Sequence, residues 1–265
     1  IVALDADGKM PPEILVTGND FYSSPRLSPD GSKLAWLTWN HPNMPWDATE
    51  LWVASVANDG VLSKASLIAG GITESIVQPE WSPGEQLYFV SDRTGWWNLY
   101  RLNSEGSVYR NGDEVEHVVP LDAEFGKPQW VFGAACYGFS SSGEIICAYN
   151  QRGIWGLARV DLASKRLEPL NIPFSEMGRG DLKATNRWVV FEAGSPTKPM
   201  SVLRLDLNSG QLESLRASHS AQVNSSYLSY PNIVEFPTRG GRTAYAYYYP
   251  PANGDFSAPR EEKPP

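Results

Sequence analysis

The segment 79-PEWSPGEQLYFVS-91 joins a proline-bounded turn to a short apolar strand, and related segments occur at three other places. They begin at Pro25 (PRLSPDG), at Pro128 (PQWVFG) and, in degenerate form, near Gly180. Apolar strands follow at LAWLTW (34–39), IICAY (145–149) and RWVVFE (187–192). The four starts, at 25, 79, 128 and 180, are 54, 49 and 52 residues apart. This period is close to the roughly 40–50 residues of a four-stranded propeller blade.

The second half of each unit also repeats, as an apolar strand, a turn and another short strand. Examples are LWVASVANDG (51–60), LYRLNSEG (99–106), LARVDLASK (157–165) and VLRLDLNSG (202–210). Alternating apolar and polar residues that end in such turns are strand signals, and no segment carries a helical apolar stripe over 12 residues. The chain is therefore predicted to be all-β.

The repeat predicts an incomplete β-propeller of about four and a half four-stranded blades out of seven. Residues 1–16 supply the last two strands of a truncated blade, and complete blades span 20–69, 74–120, 124–171 and 176–216. An open ring would expose two apolar edges. We therefore expect further blades or another chain to complete it, and the opening Ile-Val-Ala-Leu indicates that the natural N-terminus is missing.

The last part of the chain does not repeat. It contains the strand NIVEFPT (232–238), the turn RGGR (239–242) and the strand TAYAYYY (243–249), followed by a Pro-rich exit. We divide the chain into an incomplete propeller, 1–218, and a linker with a hairpin, 219–265. A Pro-rich end is typical of a linker to a further domain.

Composition and motifs exclude several classes of function. The net charge of −8 disfavours nucleic acid and anionic membranes as partners, and no apolar run approaches the roughly 20 residues of a membrane span. The three histidines are scattered outside metal-ligand spacings, and the chain lacks the G-x-S-x-G elbow, Walker and dinucleotide motifs. We predict no catalytic residue, no metal and no cofactor in this chain, and a cytoplasmic location.

The two cysteines, Cys136 and Cys147, flank the turn 140-SSSG-143. If that turn closes a hairpin, the two residues lie opposite each other, and a cross-strand disulfide is one alternative. Free cysteines are commonly buried as small apolar residues, and this is the interpretation we favour. Their spacing fits neither a zinc site nor a redox CxxC motif.

Three longer stretches carry a specific resemblance: 34–54 (LAWLTWNHPNMPWDATELWVA), 78–101 (QPEWSPGEQLYFVSDRTGWWNLYR) and the tail from Tyr230 through Pro251. They resemble the propeller of prolyl oligopeptidase family serine peptidases of the dipeptidyl-aminopeptidase/acylaminoacyl-peptidase type. The resemblance implies that the tail hairpin opens an α/β-hydrolase domain, whose Ser-Asp-His triad lies downstream. The full-length protein is then a serine peptidase, whereas no triad residue matches this chain. One departure is the second turn, which reads Ser82-Pro83-Gly84 and lacks the Asp of SPDG.

Loops at one face of the propeller supply the candidate site. The connections from the fourth strand of one blade to the first strand of the next share a face with those between second and third strands, and the tail emerges there. The connections from fourth to first strands carry Asp20, Glu74, Glu124 and Glu176. These residues form an acidic ring that could attract the amino terminus of a peptide. Alternatively, these are solvated turn residues.

Two loops extend this candidate site. In 41-HPNMPWD-47, Trp46 and Asp47 either form a wall of a substrate cavity or belong to a rigid closing loop. For Arg93 there are two alternatives. It contacts a substrate carbonyl or the hydrolase domain, or it forms a structural ion pair with Asp92 or with a neighbouring blade. We expect the side chains of Trp81, Trp96, Trp97 and Trp130 to fill the layers between blades.

We interpret the chain as a propeller that gates substrate and docks a peptidase domain. The family resemblance implies that the whole enzyme hydrolyses short peptides, and we expect an aminopeptidase with the α/β-hydrolase domain as its partner. The alternatives are a non-enzymatic TolB-like binding propeller, which has no reason to end in the tail hairpin, and a metal-dependent propeller enzyme, which needs more histidine and carboxylate ligands.

Overall fold

Antiparallel β-strands make up nearly all the regular structure of the computed structural model, which describes residues 1–103, 114–178 and 180–259. In those ranges the helical segments are two 3-10 turns, Ser225–Tyr227 and Arg239–Gly241, neither long and apolar enough to cross a bilayer. The predicted all-β class is confirmed. The predicted turn after 99–103 and the end of the Pro-rich exit, 260–265, lie outside the described residues.

The strands of residues 1–217 form one partial and four full sheets, and each full sheet is an antiparallel meander. The partial sheet pairs β1 (Val2–Ala3) with β2 (Glu13–Ile14). Blade 1 consists of β3 (Phe21–Leu27), β4 (Lys33–Trp39), β5 (Glu50–Ser55) and β6 (Ser66–Gly70). Blade 2 consists of β7 (Ile76–Trp81), β8 (Leu87–Ser91), β9 (Asn98–Asn103) and β10 (Glu114–His117).

Blades 3 and 4 continue the same meander. Blade 3 consists of β11 (Tyr137–Ser141), β12 (Glu144–Gln151), β13 (Ile154–Asp161) and β14 (Arg166–Leu170). Blade 4 has a first strand in two pieces, β15 (Glu176–Met177) and β16 (Lys183–Ala184), which both pair with β17 (Trp188–Ser195), followed by β18 (Lys198–Asp206) and β19 (Leu212–Ala217). The four predicted blades are thus present in order.

Blade 3 begins later than the repeat predicts. Its first strand starts at Tyr137, where Tyr137 pairs with Cys147 and Phe139 with Ile145. The segment beginning at Pro128, which resembles the start of blade 2, forms no strand and belongs to the long connection between β10 and β11. The prediction that Trp130 fills a layer between blades is therefore wrong: its side chain is 74% exposed.

The core consists of apolar layers between adjacent blades. One layer joins Leu37 and Leu51 of blade 1 to Phe89 and Leu102 of blade 2. Equivalent layers lie between blades 2 and 3 and between blades 3 and 4. Because full burial of such a side chain contributes roughly 1.5–3 kcal/mol, each blade depends on its neighbours for stability.

The first strands of successive blades lie side by side, which places them at the inner edge of the ring. Arg26 of β3 pairs with Glu80 of β7 at 3.0 Å. The amide of Gln78 in β7 donates to the Tyr137 carbonyl of β11 at 2.7 Å. A parallel bridge then joins Ala135 to Asp181. Two kinds of loop therefore surround one end of this inner edge: those between second and third strands, and those that lead into the first strands.

The predicted tail hairpin is present as β20 (Asn232–Pro237) and β21 (Thr243–Tyr248), with Ile233 opposite Tyr247. The Tyr247 hydroxyl donates a hydrogen bond to the carbonyl of Gly153, in the turn between β12 and β13 of blade 3. The hairpin therefore lies on the face that carries the candidate site.

Both cysteines are free and buried. Cys147 is opposite Tyr137, and the Ala148 amide donates to the Cys136 carbonyl at 2.7 Å. This register offsets the cysteines by one residue, so their side chains point to opposite faces of the sheet. The reduced, structural interpretation is confirmed, and a disulfide between directly opposed cysteines does not form.

Candidate functional site

The connection from β10 to β11, residues 118–136, shapes the candidate site. Backbone hydrogen bonds of 2.9 and 2.8 Å between Glu124 and Asn150 fix it to the end of β12. Phe125 is fully buried beyond this bridge and anchors it further. Residues 127–134, here called the crossing segment, follow this anchor. They run away from blade 3 before the chain returns to it as β11.

The crossing segment touches two other blades. The ammonium of Lys127 donates to the carbonyls of Met177 and Gly178 in blade 4 at 2.8 and 2.7 Å. The Gln129 amide lies 3.3 Å from the Ser23 hydroxyl of blade 1. The segment thus passes over the inner edge of the ring from blade 4 to blade 1.

Glu74 is held inside blade 2. Its Oε1 accepts hydrogen bonds from the Ser91 hydroxyl, at 2.5 Å, and from the guanidinium of Arg93. The guanidinium of Arg93 also lies over the Tyr100 ring, 5.1 Å from its centroid. Arg93 therefore pairs with a carboxylate of its own blade, Glu74, instead of the predicted Asp92. The charge of Glu74 is matched, which leaves it little capacity to bind an added amine.

Asp92 and Glu124 both line a cavity of about 500 Å³, together with Trp97 and Trp155. Burial raises the pKa of Asp92, and the neighbouring charge of Glu74 raises it further. Burial likewise raises the pKa of Glu124, with a contribution from Asp92. Each side chain accepts one backbone amide, from Ser75 at 2.7 Å and from Trp97 at 2.8 Å. We call this space the carboxylate cavity.

The other predicted acidic residues lie apart from this pair. Asp20 accepts the amide of His41 at 2.9 Å and so orders its own blade's loop. Asp47 accepts the amide of Met44 at 2.9 Å within the same loop. Glu176 is half exposed and lies 3.8 Å from the Lys127 ammonium. Asp20, Asp47 and Glu176 thus each contact a different partner.

The aromatic residues divide between core and surface. Trp81 is buried between blades and Trp97 packs against the layer between blades 2 and 3, as predicted. Trp96, by contrast, is exposed. Trp46 is half-buried, and its ring centroid lies 4.2 Å from that of Trp130 at an interplanar angle of 39°. The loop of blade 1 and the crossing segment thus meet through two indoles.

A larger space of about 770 Å³ lies between blades 3 and 4 and the tail hairpin. Its walls include Phe174, Lys198, Tyr230, Tyr247 and Tyr249. The tail hairpin therefore forms part of the wall of this space. Among the described residues, no three His, Cys, Asp or Glu side chains are grouped so that they could hold a metal ion.

Sequence reasoning missed Asp92 as a member of the site, and it missed Lys127 and the outward position of Trp130. From the sequence, Asp92 is expected only as a partner of Arg93. Because Pro128-Gln-Trp resembles Pro79-Glu-Trp, the repeat predicts a strand start in the crossing segment, where the structure has none. The unusual length of the connection between strand signals, from Pro120 to Tyr137, was the feature that could have revealed it.

Two solved structures resemble the chain over nearly its whole length. A puromycin-hydrolyzing peptidase of Mycobacterium tuberculosis is 35% identical, with a TM-score of 0.87, over 96% of this chain and 38% of its own. A puromycin hydrolase is 33% identical, with a TM-score of 0.84, over 96% of this chain and 37% of its own. The chain thus spans somewhat more than a third of the length of these peptidases.

More distant structures share the fold. Prolyl oligopeptidase B of Galerina marginata has a TM-score of 0.64 at 14% identity, over 89% of this chain and 32% of its own. TolB of Acinetobacter baumannii has a TM-score of 0.55 at 17% identity, over 94% of this chain and 56% of its own. No protein-family model and no curated protein matches the chain.

Proposed function

We propose, from the premise that this chain is the N-terminal β-propeller portion of a prolyl oligopeptidase family peptidase, that it admits and orients short peptides for a serine peptidase domain. The observation that carries the proposal is the extent of the similarity: 35% identity to a puromycin-hydrolyzing peptidase over 96% of this chain. The tail hairpin, on the same face as the cavities, supports an α/β-hydrolase domain as the partner.

We assign the gating role to the crossing segment. It spans from Met177 in blade 4 to Ser23 in blade 1, so it narrows the end of the inner edge that a catalytic domain would face. In this proposal the crossing segment keeps folded proteins out and leaves room for an extended peptide of a few residues. The substrate class is therefore short peptides.

We assign recognition of a free amino terminus to Asp92 and Glu124. Two partly buried carboxylates repel each other, and a protonated amine placed between them would relieve that repulsion. Glu74, a candidate from the sequence, instead holds Arg93, and its role in this proposal is to position the Asp92 loop. The enzyme would accordingly act as an aminopeptidase.

The test compares Glu124→Gln with wild type in the complete enzyme, on a peptide with a free amine and on its N-acylated form. A glutamine keeps an oxygen for the Trp97 amide but removes the charge. We expect kcat/KM to fall about fivefold or more for the free-amine peptide alone, since an exposed to half-buried ion pair contributes roughly 1 kcal/mol or more. Glu168→Gln, on the exposed outer strand β14, is the matched control. Equal losses on both peptides would contradict amine recognition.

A TolB-like binding propeller is the second candidate. The identity to TolB is about half that to the puromycin-hydrolyzing peptidase, and a propeller without a catalytic partner gives no role to the tail hairpin. A complete protein in which no serine-type hydrolase activity accompanies this chain would favour that candidate.

A further inference from the structure

We propose that Trp130 and the cavity beside it form a subsite for a large apolar side chain of the bound peptide. This inference rests on the proposed function and specifies its substrate class further. It concerns a surface distinct from the carboxylates that would hold the amine.

Trp130 is exposed yet held in place. Its indole is 74% exposed, and it packs on one side against Trp46 with ring centroids 4.2 Å apart. Hydrogen bonds from the neighbouring Gln129 amide to the Ser23 and Ser24 hydroxyls, at 3.3 and 3.5 Å, tie the backbone at this point to blade 1. An ordered aromatic surface loses little conformational entropy on binding, which is why tryptophans dominate many binding sites.

A concave space of about 760 Å³ lies next to this indole, within the range typical of small-ligand pockets. We call it the apolar cavity. Its lining residues are mostly apolar, namely Pro128, Trp130, Val131, Ala134, Met177 and Met200, with Gly178 and the charged side chains of Lys127 and Glu192 completing it. Methionine side chains are flexible and polarisable, so they adapt to apolar groups of different shape. The lining thus suits aromatic and long aliphatic side chains as a class.

The apolar cavity adjoins the carboxylate cavity, because Lys127 and Pro128 line both. Lys127 is held there by the two carbonyls of blade 4, and its ammonium lies 4.2 Å from the centroid of the Trp155 ring. One short peptide can therefore place its amine beside Asp92 and Glu124 and a nearby side chain beside Trp130. The ligand class is a peptide or aminoacyl amide with a free amine and an aromatic, leucine or methionine side chain.

The test measures kcat/KM of the complete enzyme on two matched aminoacyl amides, one with a phenylalanine and one with an alanine side chain. We expect Trp130→Ala to lower kcat/KM about tenfold more for the phenylalanine substrate than for the alanine substrate, because the lost contact is apolar. Trp130→Phe should restore most of this preference. Trp96→Ala, which removes another exposed indole from the same face but outside the apolar cavity, should leave the preference unchanged.

Equal losses on both substrates, or no loss with Trp130→Ala, would overturn the subsite. Absence of any turnover of peptides or aminoacyl amides by wild type would instead overturn the proposed function. In that case, calorimetric measurement of phenylalaninamide and glycinamide binding to the same protein tests the subsite independently of activity. A preference for phenylalaninamide that Trp130→Ala lowers about tenfold supports it, and an unchanged preference rejects it.

Discussion

Both guanidinium hydrogen bonds of Arg93 end on one oxygen of Glu74, with Oε1 2.9 Å from Nε and 2.8 Å from Nη2. Because the Ser91 hydroxyl donates to the same oxygen, the carboxylate closes the turn between β8 and β9 onto the start of blade 2. The side chain of Glu74 is 16% exposed and that of Arg93 is 29% exposed, and this pair belongs to the framework that orients the site.

Glu74→Gln should therefore reduce stability more than it affects selectivity. Removing one charge leaves the Arg93 guanidinium partly buried without its partner, and we expect a loss of about 1–2 kcal/mol in the free energy of unfolding. Urea unfolding of the variant measures this loss. Free-amine and N-acylated peptides should be affected equally in kcat/KM. A selective loss on free-amine peptides with unchanged stability would show that Glu74 binds the amine itself.

Gly70→Ala should be strongly destabilising, by at least about 2 kcal/mol. Gly70 has a φ of +101°, and an added Cβ would collide with the Thr49 carbonyl oxygen. Gly71→Ala is the matched control, because Gly71 also has a positive φ, +146°, but open space around it. Urea midpoints compare the two variants. If both lose the same stability, backbone conformation and not the contact with Thr49 is the cause.

The Asp92 and Glu124 carboxylates predict an unusual pH dependence. Their pKa values are raised in the folded protein, so the stability that protonation contributes is fully present below the unfolded pKa and is lost as pH rises through the folded pKa. At pH 7 the charged Glu124 carboxylate therefore destabilises the folded protein, and Glu124→Gln removes this destabilisation. We expect the variant to have a higher Tm than wild type at pH 7, and the difference to shrink towards pH 4. Melting curves across this range provide the test, and a difference that grows in acid would contradict the assignment.

The two cysteines should be unreactive in the folded protein. Burial raises the pKa of the Cys136 thiol to about 11, and that of Cys147 is raised further for the same reason. Since the thiolate is the reactive species, a disulfide-exchange reagent at pH 8 should label neither residue until denaturant is added. Labelling of Cys147 under native conditions would show that the layer between blades 2 and 3 opens readily, and labelling of Cys136 would show the same of its packing beside Gly180.

The 265-residue chain alone should lack peptidase activity, because it carries no nucleophile elbow. Chromogenic aminoacyl and dipeptidyl substrates measure this directly. Turnover by the 265-residue chain that a serine-directed inhibitor abolishes would contradict the proposal that the catalytic residues lie in a separate domain. The complete enzyme serves as the positive control in the same assay.

The sequence predicts the blades well because strand alternation and turn residues are local properties. Blade 2 follows from residues 79–91, and the tail hairpin follows from its RGGR turn. Blade 3 is different, because the choice between Pro128 and Tyr137 as the start of its first strand depends on which segment finds partners along β12. Tyr137 and Phe139 find them, whereas Trp130 does not, and no local pattern contains that information.

The site is less predictable than the fold for a related reason. Glu74 and Glu124 occupy equivalent places in the repeat, and both lie at the predicted face. Their roles diverge because Arg93 is within reach of Glu74, whereas Glu124 lies near another carboxylate, Asp92. Such pairings depend on distances between loops of one blade and the next, and the repeat period leaves these distances open.

The crossing segment has a consequence for how the protein folds. Blades that contact only their neighbours can form and melt one at a time from an end. Gln129, however, binds Ser23, which lies 106 residues earlier in the chain, so blade 1 is linked to the approach to blade 3 without the mediation of blade 2. A contact of that sequence separation forms late and slows folding. It also links blade 1 directly to the connection that precedes blade 3, so that fraying of blade 1 must break this contact as well as those with blade 2.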